Sequence, residues 1–440
     1  IDSVGLITAR AGIVVSAGVV TVTDGFIDSS DSSKNTSVGT NAGNYGTWSG
    51  ATDNTLIGYN AGTAITDGDR NTAVGSGALD TNTTGSQNTA IGMNALYTNS
   101  TGSNNTAVGE NALSLNTTAS DNVAVGDEAL EANTTGARNV AVGRQALEAN
   151  TTANNNNAFG YQALLLNTTG ASNNAFGKSA LDANTTGTNN TAMGHNALGA
   201  NTTASNNTSI GYQVLATNTT GAENTAVGYY ALGANTTGAN NIAVGAAALD
   251  ANTTASNNVA VGYYALSANT TAYENVGVGY KALEDNTTGV TNTAIGSNTL
   301  ANNTTGGLNV AVGREALKYN TTGSNNVAIG QEALKLTVDG SDSIAIGKDA
   351  LAVGTSLTQQ LAIGNNAGKN TTGSDNVFIG HECGTTNTSG NANTAIGHRT
   401  FFYNTSGGSN TAVGLGALKA NTTASNSVAV GHNALLANTT

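Results

Sequence analysis

The chain has 440 residues, 57 of them Gly and none Pro, with one Cys and only 9% charged residues. Its formal net charge of −13 excludes a nucleic-acid partner, because phosphate recognition needs clustered Lys and Arg. A single Cys excludes an internal disulfide framework, and no apolar run approaches the roughly 18 residues needed to insert into a membrane.

Residues 1–34 lack any repeat. Their run G-L-I-T-A-R-A-G-I-V-V-S-A-G-V-V-T-V-T-D-G-F reads as short strands joined by Gly turns, a β-rich connector. With no initiating Met at Ile1 and a last residue, Thr440, inside a repeat, the sequence reads as a segment of a longer protein. Residues 35–70 are atypical opening coils, with Ala42–Gly43 and Ala61–Gly62 where later coils carry Ala-Leu.

Regular repeats occupy residues 71–334. The phrase N-T-A-V-G returns with its Gly at Gly75, Gly92, Gly109 and onward, and Gly58 to Gly364 spans 18 steps of 17 without a slip. The consensus is N-T-A-V-G-x-x-A-L-x-x-N-T-T-G-x-N, numbered here from its first Asn. Position four is always apolar, as at Val142, Phe159, Met193 and Ile210; position nine is Leu in 17 consecutive coils; position twelve is Asn from Asn82 to Asn320. A helix is excluded because the apolar positions do not follow a 3.6 period and Gly interrupts each repeat. T-A-V alternates sides as a short strand should, and N-T-T-G supplies left-handed turn residues. The predicted fold is all-β, a parallel β-solenoid or β-roll with one 17-residue coil per turn. Identical side chains then stack in columns, and Asn can hydrogen-bond to Asn along the stack. Val142 and Leu147 are expected inside, and Arg144, in the variable column at position six, outside.

Residues 335–369 form irregular coils, where the Asn column breaks at Thr337 and Gly354. The solenoid continues over 370–440 after one 16-residue step from Gly364 to Gly380. Each coil supplies about two large apolar side chains, worth roughly 1.5–3 kcal/mol apiece when buried. Ordering 17 residues costs about 25 kcal/mol. Association with further copies would add burial, and the small Ala columns at positions three and eight offer surfaces for close approach. A homotrimeric fibre, also able to extend end to end as a filament, is therefore expected.

The stretch S-I-A-I-G-K-D-A-L-A-V-G at Ser343 to Gly354, with the recurring N-T-A-I-G and N-V-A-V-G phrases, resembles the head repeats of YadA-like trimeric autotransporter adhesins. That resemblance implies a left-handed parallel β-roll that trimerises and binds host surfaces. This chain departs from it in its longer coil with an added N-T-T-G turn. The opening I-D-S-V-G-L-I-T-A-R-A-G-I resembles linker segments of tail-fibre and structural proteins of marine bacteriophages, which implies a viral appendage.

Few residues carry candidate chemistry. His195, His381, His398 and His432 all fall at position six, a solvated column, and no carboxylate or Cys spacing beside them makes a metal site. Cys383 replaces the small residue at position eight and has no activating neighbour. Asp127–Glu128 and Glu284–Asp285 are adjacent carboxylates rather than a pair across a cleft. No catalytic residue, metal or cofactor is expected. Tyr212, Tyr229, Tyr230, Tyr263, Tyr264 and Tyr280 fall at positions six and seven of nearby coils and form a candidate recognition stripe for sugar rings. Asn82, Asn116, Asn133, Asn150 and Asn167 head N-x-T/S sequons and are candidate glycosylation sites, the alternative being a structural Asn ladder. The function expected is a non-enzymatic extracellular fibre on a virion or cell surface. It would be a stiff spacer that attaches to a host glycan or receptor through a tip or an exposed column. The alternatives are an ice-binding solenoid and a polysaccharide-binding or -degrading tailspike.

Overall fold

A computed structural model describes residues 33–43 and 50–439. The connector expected over 1–34 lies outside the described residues except for its last two. The described chain is all-β, a single parallel sheet of 24 three-residue strands, from Thr36–Val38 to Val428–Val430, with no helix. Each strand pairs with the next in sequence order, and the usual register step is 17, as in Thr72↔Thr89 and Val140↔Asn157. The first pair steps by 19, Thr36↔Thr55. The expected β-solenoid is therefore present.

The 16-residue step does not disturb the sheet, since Leu361 still pairs with Val377. Thr371 is buried in the position-twelve column, and Gln360 donates to the Gly373 carbonyl at 2.9 Å as position-one side chains do to position fifteen elsewhere. The missing residue is position fourteen, at an outer corner of the coil, where its loss shortens only a turn. Residues 335–369, irregular in sequence, keep the same strands at Ile344–Ile346 and Leu361–Ile363.

The interior differs from the expectation in one respect. Position three, not position four, points inward. Ala73, Ala90, Ala107 and Ala141 are fully buried, together with Ala at position eight and Leu at position nine. Val142 is half-buried on the outer face, Leu147 is buried and Arg144 exposed. A strand has two faces of alternating residues, and one residue of slip exchanges them. Only one large side chain per coil fits inside, so the strand turns its smallest residue to the core. The Ala columns are thus core, and they are not open for close approach by other chains.

The interior conserves volume across columns. Where Gly62, Gly368 and Gly384 replace Leu at position nine, Leu56 or Phe378 fills the space from position three; a Cβ on Gly384 would lie 2.5 Å from the Phe378 ring. Where Gly354 breaks the Asn column, Leu357 turns inward and is fully buried.

Two polar ladders complete the core. Position-one Asn105 donates its backbone N–H to Asn88 Oδ1 at 3.0 Å and its Nδ2 to the Ala119 carbonyl at 2.9 Å. Position-twelve Asn99 donates to Asn82 Oδ1 at 2.7 Å and to the Gly102 carbonyl at 2.9 Å. From Asn54 to Asn421 the ladder Asn residues are at most 2% exposed, and burial without partners would be costly.

The turn chemistry also lies elsewhere than expected. The Asn and Gly of N-T-T-G are not left-handed. Positive φ occurs at the Gly of position five and at positions seven, nine and seventeen, as at Asn94 (55°), Leu96 (52°) and Asn104 (59°). A left-handed Leu costs about 1–2 kcal/mol, offset by burying its side chain. The same geometry disfavours β-branched residues, in keeping with Leu rather than Val or Ile at position nine; Thr291 at position seventeen (57°) is an exception.

Candidate functional site

Columns, rather than a cleft, organise the surface. Position six follows the positive-φ Gly and is thrown outward, so all four His are exposed. Position seven lies beside it and position ten lies next to position seven; a Cβ on Gly233 would meet the Tyr230 ring at 3.2 Å. Residues at six, seven and ten thus form one lateral face, repeated coil after coil.

The six Tyr come together on this face, in two groups. His195, Tyr212 and Tyr229 stack in successive coils, with centroids 5.3 and 5.6 Å apart and planes within 13°. Tyr263 and Tyr280 stack at 5.7 Å and 8°. At position seven, Tyr230 meets Tyr229 edge-on at 4.6 Å, and Tyr264 tilts against Tyr263 at 4.5 Å. Lys281 Nζ lies 6.0 Å from the Tyr264 ring and 5.7 Å from that of Tyr280. The coil between the groups carries Ala246 and Ala247 at these positions. A continuous stripe of open ring faces, as the sequence suggested, is not what results. Within each stack the faces cover one another and present edges to solvent.

Beside the gap, Asp250 occupies position ten. Burial pushes its carboxyl up, against hydrogen bonds from its own and the Ala251 amide. Its Oδ1 is buried without a partner. Tyr263 raises the Tyr264 phenol most, and Asp250 adds to that effect, which places the carboxylate within electrostatic reach of the ring.

Charged residues of the same face pair both between and within coils. Arg144 binds Asp127 at 3.1 Å, Lys335 binds Glu315 at 2.8 Å and Glu332 at 3.2 Å, and Lys281 binds Glu284 at 2.9 Å. Hydrogen bonding from Lys335 holds Glu315 below its ordinary range. Of the adjacent carboxylates, Asp127, Glu128 and Glu284 are half-buried and Asp285 is exposed. A shallow groove of about 280 Å³ between Lys335, Lys348, Lys369, Glu332 and Asp349 is lined by such pairs.

No carboxylate pattern in the sequence marked the His pair as a metal site, yet Glu382, which directly follows His381, reaches both rings. His381 and His398 stack at 5.3 Å, and Glu382 brings its carboxylate within 4.8 Å of both. That carboxylate already accepts a hydrogen bond from Arg399, which holds it below its ordinary range. Cys383 is fully buried, donates to the Ala395 carbonyl at 3.1 Å, and burial pushes its thiol up to about 12. It is therefore a protonated core residue.

The sequon Asn residues are corrected by their burial. Asn82, Asn116, Asn133, Asn150 and Asn167 are all fully buried at position twelve. Asn150 Nδ2 donates to Asn133 Oδ1 at 2.9 Å and to the Ala153 carbonyl, and its neighbours do likewise. The amide that a glycan would occupy faces the core of the folded coil. In the same turn, Thr83 bonds the Ser100 carbonyl through its hydroxyl at 2.9 Å, and only Thr84 is free at the surface.

The outer strand face is the part of the surface that sequence reasoning missed. Positions two and four both point out. Over β13 (Ile242–Val244) to β21 (Val377–Ile379), position two is apolar except at Thr293, and position four is Val or Ile throughout. Ile242 is 43% exposed and Val244 37%. Earlier, the same face carries the stacked rings of Phe159 and Phe176, 4.8 Å apart, and the hydrogen-bonded pair Asn157 and Asn174. No family model and no curated protein matches this chain.

Proposed function

We propose that the chain is the shaft of an extracellular fibre, a non-enzymatic rod that assembles with copies of itself and holds an attachment surface away from a virion or cell. The observation that carries this reading is the outer strand face. It is continuous, and it is doubly apolar in eight of the nine coils from β13 to β21. The exposed Val and Ile there amount to an area on the order of 1,000 Å², beyond the largest patch of a typical monomer and close to what each partner buries in a standard interface. The occupant with the same length and repeat is another copy in register, and a closed ring of three leaves no such face open. The core holds one Leu and two Ala per coil, so burying this face would strengthen a thin interior. The resemblance to trimerising head repeats supports the same assembly. Light scattering on the full chain tests it: a trimer is expected, and a stable monomer at micromolar concentration would sink the assembly.

An ice-binding reading would use Thr ladders. Position two alternates Thr with Val, Ile and Asn, and position fourteen offers a single column, so regular paired Thr rows do not form. Measurement of thermal hysteresis separates the two readings.

A further inference from the structure

The interruption of the Tyr ladder is itself a built feature. Tyr229 has one face covered by Tyr212, and Tyr263 has one face covered by Tyr280. Among the described residues their other faces have no aromatic partner, and they bracket Ala246, which is half-buried, whereas Ala247 beside it is buried. Tyr230 and Tyr264 flank Tyr229 and Tyr263 at position seven, and Lys281 lies 6.0 Å from the Tyr264 ring. The result is a notch over Ala246, one residue wide, with the Tyr229 and Tyr263 rings as its walls.

We propose that this notch binds one pyranose ring of a β-linked glycan with equatorial hydroxyls, clasped between Tyr229 and Tyr263. The size of the gap decides the ligand class. Two coil steps separate the walls, about 10 Å at the inter-strand spacing. A flat aromatic ring at van der Waals contact, about 3.5 Å from each wall, would need only about 7 Å. A chair-form sugar is thicker, because axial C–H groups project from both of its faces. When every hydroxyl is equatorial, both faces are apolar and both can lie on Tyr, while the hydroxyls point sideways toward the phenols and solvent. This deepens the attachment role proposed above by naming a ligand, but it does not depend on the number of chains. In an assembled fibre the notch recurs once per chain at the same height, so a polymeric glycan gains avidity.

The test uses the full chain titrated with cellohexaose and, separately, with indole, read by calorimetry and by Tyr fluorescence. Cellohexaose binding is expected, with indole at least tenfold weaker. Ala246→Tyr completes the ladder in a column that already holds Tyr above and below, and should reduce cellohexaose binding more than tenfold. Tyr229→Ala removes one wall and should weaken it about 3–10-fold, the equivalent of one aromatic contact. Tyr280→Arg, outside the notch, should leave it within twofold. Melting curves of each variant confirm folding. Cellohexaose binding unchanged in both Ala246→Tyr and Tyr229→Ala would overturn the proposal, as would no binding at millimolar sugar or preferential binding of indole. These outcomes are independent of the light-scattering result, so the ligand and the fibre assembly can fail separately.

Discussion

Gly143 at position five is fixed by two constraints at once. Its φ is +134°, and an added Cβ would stand 2.5 Å from the Gly160 carbonyl oxygen of the next coil. Gly143→Ala should therefore cost at least about 1–3 kcal/mol of strain, read as a lowered melting temperature and faster amide exchange in the flanking coils. Gly136 separates the two constraints: a Cβ there would stand 2.3 Å from the Ala153 carbonyl oxygen, but its φ is not positive and Ala119 and Ala153 already occupy position fifteen, so Gly136→Ala should cost less than Gly143→Ala. Leu147→Ala empties the only large interior position of its coil and should cost about 2–5 kcal/mol. Val142→Ala, on the outer face, should cost under about 1 kcal/mol in the monomer. Denaturant titration that ranks Val142 above Leu147 would restore the inward reading of position four. The acidic patch gives a pH test. Burial, then Glu128 and Glu148, push Glu131 above its ordinary 4.5, so the folded state favours its protonated form. That contribution is fully present below about pH 4.5 and is lost as pH rises through the folded value. Glu131→Gln should melt higher than the parent at pH 7, and the gap should close below pH 4.

At the scale of the coil, period and register were legible in the sequence because phase survives any single substitution. The strand's facing was not. T-A-V can bury either its middle residue or its two outer ones, and hydrophobicity favours Val over Ala. Constancy of size was the better guide. Position three is almost uniformly Ala or another small residue, and its large exceptions Leu56 and Phe378 coincide with Gly at position nine, whereas position four ranges over Val, Ile, Phe and Met. A packed interior tolerates no such range. The candidate site was legible as a set of residues but not as a geometry. Tyr at a fixed position predicts a row, yet only coordinates show that a row of rings covers its own faces and opens where it is broken. Removal of residues 105–121 excises one whole coil in phase and should shorten the rod with attachment intact. Removal of residues 241–257 makes the Tyr229 and Tyr263 coils adjacent and should abolish glycan binding while melting stays similar. Equal binding by the two deletion variants would place recognition elsewhere.

Over the whole molecule, the long faces differ in character. The six–seven–ten face is polar, laced with inter-coil ion pairs and holds the Tyr groups. The two–four face is apolar and lies on the opposite side of the short strand from the Ala core. Lys at Val259, Val276 and Val310 together would place three charges along the most apolar stretch without touching the interior. The triple variant is expected to remain folded by circular dichroism and to become monomeric by light scattering. If it stays associated, the assembly uses another face. Such variants also separate avidity from intrinsic affinity: monomers should keep single-ring binding and lose retention on a polymeric glycan.

The breaks in the Asn ladder at Thr337, Gly354 and Thr371 have a mechanical meaning. Strands lie across the rod, so the hydrogen bonds between coils point along it. Axial load therefore reaches every junction in series, and the weakest one yields first. Most junctions carry both amide ladders, but those from Thr337 to Thr371 lack the position-twelve one. A pulled fibre should begin to unravel there, one coil at a time. Each coil of 17 residues should add roughly 55 Å of contour once extended, a step that optical tweezers resolve. The regular coils on either side are then the stiffer stretches of the solenoid, with a built-in point of yield between them.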